Sequence, residues 1–397
     1  MFNTPAFDVT SIARSTGQDG RGRWKSRVRG LPETLGDLPS VALAEEIETP
    51  GPGQIRAMVT FAGNPVLSAP NGKRIGAAFE TLEFMVSVDI YLNETTRHAD
   101  VILPPCWSLA EDHSEPLAPS FALRTVVRWC PPVVPREADD LADWQILLRL
   151  AEELGGGPTG MKWIDRGLRL ARRFGWRYDP HHTLDLLFRI GPHGDKFLPW
   201  SRGINLRKVK TSPYGLDLGA ARPGFAHRLQ HRDGTIHLSA AVIDDALGTL
   251  RREMETARPD GELLLIGRRE LRTNNSWMHN VPALVAGRER CVLFVHPQDA
   301  QRAGLRDSAA AIIESRVHCG SVPVRVTDEV MPGVVSLPHG WGHAASAPWQ
   351  SIAGAHPGVS ANDFTDDQQV EGIVGQSVLN GVPVRLHRMA EQPAAAS

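Results

Sequence analysis

The residues able to do chemistry fall in short polar runs, most of them at the ends of apolar segments. The densest is Arg268-Arg269-Glu270-Leu271-Arg272-Thr273-Asn274-Asn275-Ser276-Trp277-Met278-His279-Asn280. So many donors suit a polyanionic ligand rich in heteroatoms, although a solvated loop has the same composition. Asp89 ends the apolar run Phe84 to Asp89. A carboxylate there can accept paired hydrogen bonds from the donor edge of guanine or from ribose hydroxyls, or it can cap the turn that follows. Asn93-Glu94-Thr95-Thr96 opens a predicted helix whose free N–H groups could hold a phosphate.

Familiar catalytic signatures are absent. Gly72-Lys73 is followed by Arg74, so no phosphate-binding G-x-x-x-x-G-K-[ST] exists, and neither G-x-S-x-G nor H-E-x-x-H occurs. His339 and His343 have the interval of helical metal ligands, but Pro338, Gly340 and Gly342 argue against a helix there and so against a metal site. Glu111-Asp112-His113 reads as a loop rather than an acid–base cluster. Gly155, Gly157 and Gly160 spell G-x-G-x-x-G, yet they close a helix where a dinucleotide fingerprint must open one. Cys106, Cys130, Cys291 and Cys319 contain no C-x-x-C pair, so neither a zinc knuckle nor an iron–sulfur cluster is expected in this chain, and the thiols read as reduced bystanders.

The elements that must position these residues come in two styles. Ile55 to Ala62 is a predicted strand stopped by Gly63-Asn64-Pro65; residues 73 to 82 read as a helix, Phe84 to Asp89 as a strand, Asn93 to His98 as a short helix and Val101 to Leu103 as a strand. That rhythm is a parallel α/β sheet, in which ligands gather beyond the carboxyl ends of the strands, where Asn64 and Asp89 sit. Leu141 to Leu154 is the clearest amphipathic helix. Asp233-Gly234 suggests strand pairing within Arg228 to Ser239. Beyond Arg258-Pro259-Asp260-Gly261 come short strands at 263–267, 291–296, 309–315, 321–326, 333–337 and 382–387, implying a compact barrel or sandwich. The Gly- and Arg-rich stretch 14–30 shows little periodicity and reads as a solvated loop, or as an arm that packs on a missing part of the protein. The expected organisation is an irregular arm over 1–50, a partial α/β domain over 51–258, a barrel over 259–390 and a disordered tail over 391–397.

Global properties narrow the partners. The 397 residues carry 43 Lys plus Arg against 45 Asp plus Glu, and a formal net charge of −2 lacks the basic field that nucleic acid or an anionic membrane selects. No apolar run approaches the roughly 18 residues that span a bilayer, and the N-terminus has no leader pattern, so a cytoplasmic location is expected.

Taken in order, Gly63-Asn64-Pro65 and the run Phe84 to Pro105 resemble the third domain of the molybdopterin oxidoreductase family, the dimethyl sulfoxide reductase and formate dehydrogenase class. Asn274-Asn275-Ser276-Trp277, Val295 to Ala300, Val326-Thr327-Asp328 with Pro332-Gly333, Pro338 to Gly342 and Ala361 to Asp366 fall in the order of that family's C-terminal molybdopterin-dinucleotide-binding domain, a six-stranded double-psi barrel. Each motif alone is weak; their ordered conjunction, over about residues 50 to 155 and 260 to 388, is specific.

The resemblance implies a bis-guanine-dinucleotide molybdopterin carrying molybdenum or tungsten. Asn64, Asp89 and Asn93 would contact one dinucleotide, Asp89 at its guanine. Arg269, Arg272, Asn275, Ser276, His339 and Asn362 would contact pterin and phosphates from the barrel side. Relatives of this type also carry a C-x-x-C-x-x-x-C iron–sulfur region and a metal-ligating residue before the Gly-Asn-Pro strand, neither of which matches a position here. The expected function is the cofactor-binding part of a formate dehydrogenase or nitrate reductase type of oxidoreductase, completed by an N-terminal half or upstream-encoded subunit and served by a redox partner. The alternative is a non-catalytic cofactor-binding module. A nicotinamide-dependent dehydrogenase ranks below both, since no G-x-G-x-x-G follows a strand.

Overall fold

The structure, a computed structural model, describes residues 6–7, 20–115, 122–220, 229, 231, 233–256, 258–343 and 350–389. The chain packs as two bodies, each built from two stretches: one takes residues 20–103 and 239–397, the other 104–238 with the described residues Ala6 and Phe7. This interleaving differs from the linear division expected from sequence.

In the first body, β1 (Arg21–Lys25) pairs antiparallel with β2 (Pro32–Thr34). The arginines of this stretch are not a solvated loop. Arg23 pairs with the buried Glu33 at 2.6 Å, Arg29 with Glu45 at 2.8 Å and Arg27 with Glu46 at 3.3 Å, the last two carboxylates lying on the helix Leu43–Glu48. The arm is held by ion pairs where apolar periodicity is missing. Then β3 (Ala57–Phe61), β4 (Phe84–Val88) and β5 (Val101–Ile102) form a three-stranded parallel sheet. The helix Gly72–Phe79 buries Ile75, Ala78 and Phe79 in a core with Ile47 and Met85. The predicted helix at 93–98 is only a 3-10 turn at Thr96–His98, because Asn93 Oδ1 accepts from the N–H groups of both Thr95 (2.9 Å) and Thr96 (3.0 Å). Those N–H groups are therefore taken and do not offer a phosphate site.

In the other body, β6 (Arg124–Val127) and β7 (Leu216–Ala220) pair antiparallel over a core of Phe7, Val127, Phe188, Ile204 and Val209. Its amphipathic helix spans Asp143–Glu153, and Gly155 at φ 78° ends it, as the left-handed conformation that favours glycine should. The expected hairpin around Asp233-Gly234 is a bare turn: no strand occurs among the described residues of 228–239, and the others of that range lie outside the described residues.

Six strands close the barrel of the first body: β8 (Leu263–Arg268), β9 (Leu293–Val295), β10 (Ala310–Glu314), β11 (Cys319–Val326), β12 (Val334–Pro338) and β13 (Val382–Arg388). They run around it in the order β10-β11-β9-β12-β8-β13, mixing parallel and antiparallel pairs. Alternate residues point inward, so Leu265, Leu293, Ile313, Val322, Val335, Leu337 and Val384 form one core. The six expected strands are all present, and the fold is mixed α/β with a closed barrel near the C-terminus. No helix among the described residues is long and apolar enough to cross a membrane.

Ile313 is fully buried at the centre of this core. Ile313→Ala is expected to cost about 2–5 kcal/mol, through lost burial and the void left behind. Equilibrium urea unfolding followed by far-UV circular dichroism checks it; a loss under about 1 kcal/mol would mean the barrel interior is not close-packed.

Candidate functional site

Two sets of loop tips meet within the first body. β3 and β4 are parallel, so their carboxyl ends deliver Asn64 and Asp89 to the same edge. β8 and β12 are also parallel, with Pro338 opposite Arg268, so the loops carrying Arg269 to Asn280 and His339 to His343 leave the barrel at one end. Gly340 fits these loops together. Its φ of 101° suits glycine, and a Cβ on it would lie 2.2 Å from the Asn275 carbonyl oxygen. Arg269 donates to Asn275 Oδ1, and the Arg268 guanidinium donates to the carbonyls of Ser336 (2.8 Å) and Val292 (2.9 Å) beneath them.

The two sets are joined by a buried polar chain. Glu94 Oε2 accepts from Asn64 Nδ2 at 2.9 Å, and Thr95 Oγ1 donates to Asn64 Oδ1 at 2.7 Å. Glu94 Oε1 lies 3.2 Å from His343 Nδ1, and His343 Nε2 lies 2.7 Å from His279 Nδ1. All three ionisable side chains are less than a tenth exposed. Burial alone would raise the Glu94 carboxyl, but the hydrogen bond and charge of His343 outweigh it and hold the group at about 2. Burial, with the neighbouring His343, pushes His279 down to about 3. Neither histidine belongs to a metal-binding group: among the described residues no three His, Cys, Asp or Glu are placed to hold an ion.

The expected site residues divide by environment. Asp89 accepts from Tyr91 N–H (3.0 Å) and from Asn93 Nδ2 (3.2 Å), which makes it a turn-stabiliser, and each oxygen keeps a further lone pair. Arg269, Arg272 and Asn275 are exposed, Ser276 and His339 half-buried. Burial, then the Arg269 charge, lowers His339. Asn362 stands apart: it is buried, and its amide donates to the Leu67 carbonyl at 2.6 Å, clamping the turn after β3. Glu111, Asp112 and His113 diverge, Glu111 accepting from Cys106 Sγ at 3.0 Å while Asp112 meets His181 at 3.2 Å and His113 pairs with the Cys130 backbone. Burial, with Glu111 beside it, pushes the Cys106 thiol up to about 11, and burial pushes Cys291 to about 12, so both are thiols at neutral pH. The group that sequence reasoning missed is the Glu94–His343–His279 chain.

A parallel sheet and a closed six-stranded barrel, linked through Glu94 and His343, define a mixed α/β protein. The family model "Molybdopterin oxidoreductase" matches residues 7–153 and "Molydopterin dinucleotide binding domain" matches residues 263–383. The chain belongs to the molybdopterin oxidoreductase family. It is 26% identical over 315 residues to the thiosulfate reductase molybdopterin-containing subunit PhsA of Salmonella typhimurium, covering 75% of this chain and 39% of that protein. To the assimilatory nitrate reductase catalytic subunit of Bacillus subtilis it is 35% identical over 146 residues, 35% of this chain and 20% of the relative. Against the F420-dependent formate dehydrogenase subunit alpha of Methanocaldococcus jannaschii the figures are 25% over 295 residues, 72% and 38%. The fold is similar to that of acetylene hydratase from Pelobacter acetylenicus, with a TM-score of 0.64 at 16% identity, covering 90% of this chain and 47% of that one. The chain thus spans less than half the length of each of these proteins.

The shifted groups set an acid dependence. An unfolded chain takes up a proton at His279 near pH 6.5 that the folded chain refuses until about 3, and Glu94 behaves likewise between 4.5 and about 2. Both make stability fall as pH falls, whereas the half-buried Asp363, raised from 3.8 to about 6, opposes them in that interval. His279→Gln is therefore expected to lose less stability than the unsubstituted chain between about pH 7 and about pH 5 in urea titrations, and an identical loss refutes this assignment.

Proposed function

We propose that this chain holds a bis-molybdopterin guanine dinucleotide carrying molybdenum or tungsten, as the cofactor-binding part of an oxidoreductase of the formate dehydrogenase or nitrate reductase type. The observation that carries the reading is the Glu94–His343 contact, which joins the sheet loops bearing Asn64, Asp89 and Asn93 to the barrel loops bearing Arg269, Arg272, Asn275 and Ser276 within one body. This set fits the ligand class. Cationic and amide donors match pyrophosphate and pterin oxygens, a carboxylate matches the donor edge of guanine, and the close seat of Gly340 on the Asn275 backbone leaves no side chain over that loop.

When bound, such a cofactor supplies two-electron redox chemistry at its metal. The residues of this chain bind and orient it. Arg269, tied to Asn275, would hold phosphate oxygens while His339, kept neutral by burial and by Arg269, would donate or accept one hydrogen bond according to tautomer. We assign the protein ligand to the metal, and any iron–sulfur centre, to an N-terminal segment or partner subunit, because the four cysteines here form no C-x-x-C pair. The same fact favours a second reading, a non-catalytic module that holds the cofactor for a partner. Co-expression with and without the partner, followed by activity assay, separates the two.

Asp89→Ala, and separately Arg269→Ala with Arg272→Ala, are expected to lower molybdenum or tungsten and pterin in the purified chain by about tenfold, the equivalent of one or two lost charge-assisted hydrogen bonds. Metal analysis and fluorescence of the oxidised pterin read the result. Unchanged content in variants with wild-type circular dichroism would overturn the assignment.

A further inference from the structure

The helix Ala241–Glu255 is 15 residues long and buries none of them in its own chain. Helices of this length are held mainly by packing an amphipathic face, and here that face is uncovered. Its apolar residues are not scattered. Ile243, Leu247, Leu250 and Met254 recur at intervals of four, three and four, which sets them in one stripe, and they are 42%, 48%, 49% and 78% exposed. Thr249, Arg252 and Glu253 line a cleft with Pro259 and Glu262 at the start of the barrel, roughly 130° round the helix from that stripe. The stripe therefore points away from the barrel that follows it.

Such an interval is the seam of a two-helix coiled coil, with Leu247 and Met254 at a positions and Ile243 and Leu250 at d positions. The residues that flank the seam identify what it pairs with. Asp244 and Arg251 occupy the e positions, and Ala246 and Glu253 the g positions. When two copies of the helix run antiparallel about a two-fold axis, Ile243 packs against Met254 of the other copy and Leu247 against Leu250, while each e position faces an e position. Asp244 then meets Arg251 twice over, and Ala246 meets Glu253, so no like charges are opposed. In a parallel pair g faces e, which sets Ala246 against Arg251 without an ion pair, and isoleucine at d with leucine at a is not the pattern of a parallel dimer. Both charges have capacity to spare. Asp244 Oδ2 accepts from Ser239 Oγ at 2.6 Å and leaves Oδ1, and Arg251 makes no hydrogen bond or ion pair among the described residues.

We propose that the helix Ala241–Glu255 is the interface for a second copy of this chain, paired antiparallel along Ile243, Leu247, Leu250 and Met254 and set in register by two Asp244–Arg251 ion pairs. Pairing moves the stripe from water into an apolar seam. It also orders the barrels. The helix leads into β8 through Pro259-Asp260-Gly261, so the two barrels leave the seam at opposite ends, from points about 22 Å apart for a helix of 15 residues. No residue of the helix belongs to the loops assigned to molybdopterin, so the proposal stands apart from that reading. A seam of two heptads is smaller than the roughly 1,600 Å² of a standard stable interface, so the dimer is reversible.

Sedimentation velocity of the 397-residue chain, from about 1 to about 300 μM at low salt, follows the equilibrium where exposed ion pairs are least screened. The expected result is a rise from monomer to dimer mass with concentration. Asp244→Arg alone and Arg251→Asp alone each set like charges against one another at both pairs, and each is expected to raise the dimer dissociation constant by about tenfold. The two substitutions together exchange the charges, and are expected to bring the constant back to within about threefold of the unsubstituted value. Leu247→Glu with Leu250→Glu is expected to stay monomeric. A monomer at every concentration, as when the stripe seats another part of a longer polypeptide or a different protein, overturns the proposal. So does a dimer that persists in a folded Leu247→Glu, Leu250→Glu variant, or a charge exchange that binds no better than the single substitutions. The charge variants alter exposed side chains only, and they decide the matter even where the glutamate variant fails to fold.

Discussion

The contact between Glu94 and His343 carries the architecture of the site. Glu94 belongs to the loop after β4 and His343 to the loop after β12, 249 residues away, and their side chains meet at 3.2 Å in the interior. Placing a carboxylate there is costly unless each oxygen is answered, and here Asn64 answers one and His343 the other. Removing a single partner would strand a buried charge, so the two loops have one mutual arrangement. That arrangement fixes how the loop after β4 meets the loop after β12.

Parallel strands supply the remaining order. Because β3 with β4, and β8 with β12, run side by side in the same direction, each pair sends two loops to one edge without a long connection to correct the direction. The loops are then locked locally. Gly340 allows the backbone of one to touch the backbone of the other at Asn275, and Asn362 fastens the turn after β3 through the Leu67 carbonyl. Arg269 adds a side-chain fastening to Asn275 Oδ1, and Arg272 donates to the Ala286 carbonyl.

How much of this the sequence reveals depends on the range of each interaction. The barrel strands are legible because their code is local: inward Leu263 and Leu265, or Val382, Val384 and Leu386, alternate along a few residues. The parallel sheet and the loop positions of Asn64 and Asp89 are legible for the same reason. The arm at 20–34 is not, since its stability comes from arginines that find Glu33, Glu45 and Glu46 across turns, and charge on charge leaves no periodic trace. The turn at Asn93 misleads by composition: its side chain takes the N–H groups that a helix would have left free. Glu94, His279 and His343 are invisible as a group because 64 residues separate the two histidines and 249 separate His343 from Glu94. His339 and His343 share a short interval and draw attention as metal ligands, yet Gly340 and Gly342, at φ 101° and 108°, turn them to different surroundings.

The polar chain does something that an apolar trio could not. Leucines at these three positions would bury the same loops without a desolvation cost and without acid sensitivity. What they would lack is direction. An ionised carboxylate accepts only, so Glu94 draws an N–H from Asn64 and an N–H from His343 and thereby fixes which atom of each neighbouring loop it meets. The same groups make that arrangement sensitive to acid, because protonating Glu94 turns one of its accepting oxygens into a donor. Geometry at the junction of sheet and barrel and its dependence on acid are therefore one property of three side chains.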